Sequence, residues 1–240
     1  MKKYLFPSLS ILIAAILLLG LPLVAGRIAN LLPAPGIDPN GVFWWISVHH
    51  VAQALLFIPL ILILKKIKPE LNFGFKLGDS KRGMTYVLRF TIFFLIYTAI
   101  GMTMTILTES FNPYTFPING RNIVGYLGFQ LFLSGPSEEL IFRAFGITLL
   151  GLFFQKRIIK GKLSVANLII ALIFGLAHVG IHFSPFHLTY SLFQVIYAFA
   201  LGLVYGDAYE KTGSVVYPMM IHSISNVIAV GATMLMTVLL

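Results

Sequence analysis

The sequence predicts an all-α, polytopic membrane protein with seven or eight transmembrane helices, folded as one domain over residues 1–240. Two observations support this prediction. Of the 240 residues, 58% are hydrophobic and only 10% are charged, and the mean hydropathy is +0.91, which is far outside the range of soluble domains. Apolar runs long enough to cross a bilayer also recur along the whole chain.

The apolar runs give seven predicted spans, at about residues 5–25, 43–64, 84–107, 122–154, 164–183, 187–206 and 215–240. The fourth contains Gly135-Pro136. Because proline breaks a helix interior but suits the first helical position, a new helix is predicted to begin at about Pro136. A split at this point would create the eighth span.

The distribution of basic residues predicts the orientation. Thirteen Lys and Arg residues lie before the first span and in the second, fourth and sixth connections, whereas only Arg27 and Arg121 lie on the opposite side. The positive-inside rule therefore predicts a multi-pass protein of the cell membrane with a cytoplasmic N-terminus. Topology explains the net charge of +9 without nucleic-acid binding, and the absence of cysteine excludes disulfides and thiolate metal sites.

Two carboxylates and a guanidinium stand close together in the otherwise apolar stretch 134–143. Such groups cost about 2.5–3.5 kcal/mol each at bilayer depth, so they face a partner or a water-filled cavity. Glu139 precedes Arg143 by four residues, which favours an ion pair on one helix face. Glu138 points about 100° away and stays free for chemistry. A helix beginning at Pro136 would place both glutamates in its first turn, where the helix dipole favours negative charge.

Two further pairs with four-residue spacing occur in later spans: Phe174 with His178, and His222 with Asn226. Helical rise places Glu138 and His178 each about 24 Å from the predicted cytoplasmic end of their span, but His222 only about 12 Å from Ser214. Chemically, the set suits hydrolysis by an activated water without a cofactor. A carboxylate and an imidazole deprotonate the water, and a second imidazole and an amide donate to the oxyanion.

Three motifs in this order resemble those of the CAAX protease and bacteriocin-processing family, also called the ABI family, which includes the Ras-converting type of CAAX prenyl protease. The motifs are Glu138-Glu139-x-x-x-Arg143, Phe174-x-x-x-His178 and His222-x-x-x-Asn226. The resemblance covers about 90 residues within a motif-bearing core at about 122–240. It implies a helical membrane fold, proteolysis without a metal ion and a site that opens toward the cytoplasm.

The resemblance also implies roles. It assigns water activation to Glu138 and His178, and the oxyanion hole to His222 and Asn226. Structural and positioning roles fall to Glu139, Arg143 and Phe174. The implied substrates are peptides or lipidated proteins in the membrane: prenylated CAAX-type C-termini, bacteriocin leader peptides or precursors of signalling peptides.

Three alternatives remain at this stage. Glu138, His178 and His222 could form a zinc site with an open fourth position, although no HExxH sequence is present. A proton or substrate relay in a small transporter would also use buried ionisable groups, and a non-catalytic scaffold could keep the same fold. The other histidines are interpreted as loop residues at the external interface: His49, His50, His182 and His187.

Overall fold

The protein is represented by a computed structural model that describes residues 2–240, except for the side chains of residues 2–5 and 183. These residues form seven helices: α1 (Lys2–Asn30), α2 (Trp44–Ile67), α3 (Ser80–Leu107), α4 (120–151), α5 (Val165–Leu176), α6 (Leu192–Thr212) and α7 (Val216–Leu239). Five of them, α1, α2, α3, α6 and α7, are long and apolar enough to cross a membrane. The predicted all-α, multi-pass membrane fold is confirmed.

Helix α4 passes through Gly135-Pro136 without a break, so the predicted helix start at Pro136 is wrong and no eighth span arises there. Its successive parts are Gly120–Phe129, a π-helical stretch Gln130–Ser134, Gly135–Glu139, a second π-helical stretch Leu140–Ile147, and Thr148–Gly151. Local π-helical adjustment is one way in which membrane helices accommodate an internal proline. Both glutamates consequently lie in the helix interior, and the predicted contribution of a helix N-terminus does not apply.

Helix α5 is shorter than the predicted span 164–183. It begins after Ser164, whose hydroxyl accepts from the Asn167 amide at 2.9 Å, and its 12 residues extend only about 18 Å. The chain then forms an antiparallel hairpin of β3 (Gly180–Phe183) and β4 (Phe186–Thr189). A second, two-residue hairpin pairs β1 (Arg157–Ile158) with β2 (Leu163–Ser164). Glycine and proline within 180–189 favour a turn over continued helix.

The turn between α6 and α7 is buried beneath another connection. Ser214 and Val215 are 0% and 1% exposed. The segment that connects α2 to α3 covers them: Val215 N donates to Gly74 O at 2.8 Å, and Asp79 N donates to Thr212 O at 2.8 Å. Helix α7 therefore begins inside the folded protein, and the depth of His222 in the membrane stays a prediction.

Contacts bring the predicted basic connections to one end of the helices. Arg82 donates to Lys211 O at 3.0 Å, and Arg157 pairs with Glu210 at 3.2 Å. These contacts link the second, fourth and sixth connections. The side chains of Lys2 and Lys3 lie outside the described residues, and the orientation in the membrane stays a prediction.

The core has two parts, and α4 and α7 meet between them. One joins α1, α2, α4 and α5 through Leu18, Phe57 and Ile170. The other joins α3, α6 and α7 through Phe94, Tyr205 and Ile221. The polar residues singled out by the sequence lie along this boundary.

Asp38 anchors the start of α2. Its carboxylate is 1% exposed and accepts hydrogen bonds from the backbone amides of Val42, Phe43 and Trp44 at 2.9, 2.9 and 2.7 Å. Burial raises the pKa of Asp38, but the amide donors outweigh burial and the pKa lies below its usual value. This loop thus fixes where α2 enters the bundle.

We expect Asp38→Ala to lower stability by about 2 kcal/mol at neutral pH, because three amides lose their acceptor. A depressed folded-state pKa stabilises the protein above the unfolded-state pKa of about 3.9 and stops doing so as the pH falls through the folded-state value. The melting-temperature difference between wild type and variant, measured in detergent, should therefore be constant above about pH 5 and shrink as the pH falls below it. Glu70→Ala, which removes an exposed loop carboxylate, should change little; equal losses for both variants would contradict the anchor.

Candidate active site

Helices α4 and α7 approach each other closely at Gly135. A Cβ atom at this position would lie 2.6 Å from Ser223 Oγ, 2.9 Å from Ser223 N and 3.0 Å from Met219 O. Gly135 therefore serves close helix packing. Because the two helices run antiparallel, this contact sets Glu139 opposite His222 and Ser134 opposite Asn226.

Glu139 is the centre of a buried ionic cluster. Its Oε2 lies 3.0 Å from Arg143 Nε, and both side chains are 0% exposed. Its other oxygen, Oε1, lies 2.8 Å from Nδ1 of His222. The ion pair predicted from the four-residue spacing is present, and it reaches across to α7.

Arg143 is enclosed by aromatic rings. Its guanidinium carbon lies 4.6 Å from the ring centroid of Phe174, 5.4 Å from that of Tyr205 and 5.9 Å from that of Phe142. It also donates to Gly202 O at 3.1 Å. Cation–π contacts are strongest where water is excluded, so these rings and the Glu139 carboxylate together stabilise the buried charge.

The hydrogen bond to Glu139 determines the tautomer of His222. A carboxylate held by an arginine only accepts, so Nδ1 of His222 carries a proton. The ring stacks on Tyr205 with centroids 4.9 Å apart. Its second nitrogen, Nε2, then faces Glu138, whose Oε2 lies 3.9 Å away.

His50 lies in a helix and not in the external loop that the sequence predicted. It is 6% exposed and lies inside α2, with Nε2 3.8 Å from Glu138 Oε1; its interpretation as an external loop residue is wrong. The physical reason is that α2 begins at Trp44, so His50 lies about 9 Å along the helix. Gln53 follows by three residues on the same face, and this buried polar pair was the signal that could have revealed it.

Ser137 and Gln53 hold the imidazole of His50. Its Nδ1 lies 2.7 Å from Ser137 Oγ and 3.1 Å from Gln53 Nε2, and the same amide donates to Ser137 Oγ at 3.0 Å. Because the amide nitrogen is a donor, Nδ1 accepts and the ring proton is on Nε2. His50 therefore directs an N–H toward Glu138.

His178 lies farther from Glu138 than the other two imidazoles. Its Nδ1 is 2.8 Å from Phe174 O and its ring stands edge-on to Phe174, with centroids 5.1 Å apart. Among the described side chains it forms no ion pair or hydrogen bond with Glu138. Because a carbonyl only accepts, Nδ1 is protonated and the Nε2 lone pair is free.

Phe174 and Asn226 complete the predicted set. Phe174 contacts three members of the set: His178, His222 and Arg143. Its ring lies edge-on to His222 with centroids 6.0 Å apart, and the Arg143 guanidinium lies over its face. Asn226 donates to Ser134 Oγ at 3.0 Å, one helical turn from Glu138. The structure thus gathers all seven predicted residues around the α4–α7 contact, with His178 at the edge.

Glu138 differs from Glu139 in its access to the outside. The Glu138 side chain is 21% exposed, whereas that of Glu139 is fully buried. A cavity of about 310 Å³ lies between α2 and α4; its walls are mostly apolar and include His50 and Ser137, which neighbour Glu138, but not Glu138 itself. Across residues 6–182 and 184–240, no three His, Asp or Glu side chains converge as a metal site would require.

Residues 120–228 match the family model described as type II CAAX prenyl endopeptidase Rce1-like. This segment belongs to the Rce1-like family. The family resemblance drawn from the three motifs is confirmed, because the matched segment contains all of them. The match supports a membrane endopeptidase, which is a hydrolase whose peptide substrates lie in the bilayer. Comparisons with curated proteins and with solved structures gave no match. His50 lies outside the Rce1-like segment.

We expect Gly135→Ala to destabilise the Rce1-like domain by about 1–3 kcal/mol, because the added methyl group meets backbone atoms of α7 that cannot move independently. Gly128→Ala is the matched control on the same helix, since a Cβ at Gly128 meets nothing within 4 Å and alanine is the better helix former. Melting temperatures in detergent compare the two. Equal stability of both variants would contradict a close contact at Gly135.

Proposed function

We propose that this chain hydrolyses peptide bonds within the membrane by means of a water molecule that Glu138 activates. One observation supports this above all: a partly exposed carboxylate stands between two imidazole Nε2 atoms, at 3.8 Å from His50 and 3.9 Å from His222. The adjacent Glu139 is fully engaged by Arg143. The two neighbouring glutamates therefore have different roles: Glu139 is structural, and Glu138 is available for proton transfer.

The proposed reaction needs no covalent intermediate. Glu138 accepts a proton from water while the water oxygen bonds to the carbonyl carbon of the peptide, whose π electrons move onto the oxygen. The tetrahedral intermediate then expels the amine as the C–N bond breaks, and protonated Glu138 returns the proton to the departing nitrogen. The free Nε2 lone pair of His178 makes this residue a second acceptor for the water proton once substrate and water are in place.

The oxyanion is proposed to bind to His222 and Asn226. In this role His222 carries a proton on each nitrogen, donating one to Glu139 and the other to the oxyanion. Asn226 supplies an amide N–H that donates to Ser134 in the resting site. Donors aimed at developing charge in a site shielded from water typically contribute about 10²–10³ in rate each.

We propose a positioning role for His50. Its Nε2–H points toward Oε1 of Glu138, and Ser137 and Gln53 hold its other nitrogen. The carboxylate is thereby oriented from α2, while His222 faces it from α7. Helix α2 lies outside the Rce1-like segment, so this chain completes the site with a residue that the family motifs do not contain.

The proposed substrates are peptides associated with the bilayer: prenylated CAAX-type C-termini, or leader and signalling peptides. The match to the type II CAAX prenyl endopeptidase family supports the first class. The apolar cavity between α2 and α4 adjoins His50 and Ser137, which suits a substrate that carries a hydrophobic group. The proposed location is the cell membrane, with the N-terminus in the cytoplasm.

The decisive experiment incubates the purified full chain with a pool of prenylated CAAX and leader peptides and reads the products by mass spectrometry. We expect Glu138→Gln to abolish cleavage, because the amide cannot accept the water proton. Glu70→Gln, an exposed loop substitution, should cleave like wild type. Treatment of the wild type with a strong zinc chelator should leave cleavage intact.

Other outcomes are equally informative. Equal cleavage by Glu138→Gln and wild type would remove Glu138 as the base. Loss of cleavage in chelator would favour the zinc alternative. A folded wild type that cleaves no peptide of either class would count against the proposed substrates and favour the scaffold reading.

For His50, we expect His50→Gln to lower kcat by about tenfold to a hundredfold with little change in KM, because the ring N–H that faces the Glu138 carboxylate at 3.8 Å is lost. The neighbouring His49→Gln is the matched control: His49 stacks on Trp45 with ring centroids 5.3 Å apart and does not reach Glu138. Steady-state kinetics distinguish the two. If His49→Gln and His50→Gln reduce kcat equally, the effect comes from helix α2 in general and the positioning role is wrong.

A further inference from the structure

We infer that a groove between α3 and α6, on the far side of the helices from Glu138, binds an anionic phospholipid. This α3–α6 groove has a volume of about 720 Å³. Its apolar part is formed by Phe90, Phe93, Tyr97, Tyr197 and Leu201, and its cationic part by Arg82, Arg89 and Lys211. The proposal does not depend on the proposed proteolytic activity.

Arg89 is the residue that points to an anion. It lies nine residues beyond the start of α3 at Ser80, or about 13 Å along the helix. Arg82 is paired with Asp79 at 3.5 Å and Lys211 with Asp207 at 2.8 Å. Arg89 forms no ion pair with any side chain in the described part of the chain.

An arginine inside a membrane helix is costly unless a partner or the interface compensates its charge. The long side chain of Arg89 can extend along the groove toward the end that Arg82 and Lys211 line, which is the polar end. Arg82 precedes Arg89 by seven residues and lies on the same helix face. A phosphate group suits such a position, because a guanidinium binds phosphate oxygens with two parallel hydrogen bonds. The polar end of the groove therefore has one cation in excess, and an anion would neutralise it.

The length of the groove matches one leaflet of a bilayer. Arg82 and Tyr97 are 15 residues apart on α3, or about 22 Å. Half of a bilayer of about 40–45 Å, headgroups included, is the same length. The cations lie toward one end, and aromatic side chains line the remainder. A lipid with its phosphate near Arg82 and Arg89 would lay an acyl chain along Phe93 and Tyr97.

The groove is separate from the candidate active site. Its floor residue Phe90 contacts Tyr205, with ring centroids 5.9 Å apart, and Tyr205 stacks on His222 behind it. None of the described residues that line the groove belongs to the predicted catalytic set. A substrate anchored here would have Phe90 and Tyr205 between it and Glu138, so a resident lipid fits the position better than a substrate chain.

The test is lipid binding by the full chain, purified in mild detergent and measured by native mass spectrometry. Phosphatidylglycerol and phosphatidylcholine with identical acyl chains are the two probes, and inorganic phosphate is the third. We expect wild type to retain phosphatidylglycerol about five- to tenfold more tightly than phosphatidylcholine, since one basic residue near a lipid phosphate contributes about a factor of this size. Inorganic phosphate alone should not bind detectably.

Two variants and one control locate the site. Arg89→Gln should remove the preference for phosphatidylglycerol, whereas Arg121→Gln, which removes one exposed arginine at the start of α4, should keep it. Ala200→Trp fills the groove and should reduce retention of both lipids without changing the charge. All three positions are exposed, so folding should be preserved, and melting temperatures check this.

Three results would overturn the inference. The first is an equal affinity of wild type for the two lipids. The second is an unchanged preference in Arg89→Gln. The third is binding of inorganic phosphate as tight as that of phosphatidylglycerol, which would indicate an anion site without a lipid.

Discussion

The buried pair of Glu139 and Arg143 is the interaction on which the rest of the site depends. A charge in a dry interior is tolerated only when it is paired, and removing one partner of such a pair typically costs about 3–5 kcal/mol. Here the pair also orients His222 through the second carboxylate oxygen and places the guanidinium among Phe142, Phe174 and Tyr205. Helices α4, α5, α6 and α7 thus meet around one ion pair.

This arrangement explains why two adjacent glutamates differ. Glu139 points into the cluster and is inaccessible, whereas Glu138, rotated by one residue on the same helix, faces His50 and is partly exposed. The difference arises from helix geometry and not from residue type. The rigid ionic cluster lies on one side of the helix and the accessible Glu138 carboxylate on the other. This arrangement suits proton transfer, because neighbouring residues fix the orientation of the reactive carboxylate.

Much of this could be predicted from the sequence. The seven helices follow from apolar length, and the Glu139–Arg143 contact follows from four-residue spacing within one helix. What could not be predicted depends on how helices face and cover one another. The proximity of His50 to Glu138 requires the rotation of α2 relative to α4, and the burial of Ser214 and Val215 depends on the connection at 68–79 that covers them.

Gly135-Pro136 shows a second limit of sequence reasoning. Glycine and proline both have low helix propensity in a helix interior, but helix propensity does not include contacts with a neighbouring helix. In the structure the glycine is needed where α7 comes near, and π-helical turns on either side of Gly135–Glu139 accommodate the proline. The glycine that predicted a break is the residue that lets α4 pass close to α7.

The contact at Gly135 also determines the register between α4 and α7. Sliding α7 by one helical turn, about 5.4 Å, would bring Asn226 to the level of Glu138 and would separate His222 from Glu139. Differences in bilayer thickness exert only fractions of a kcal/mol per ångström on a membrane helix, less than the cost of separating a buried ionic cluster. The register of the two helices should therefore be the same in thin and thick membranes, while the surrounding lipid adapts to the protein.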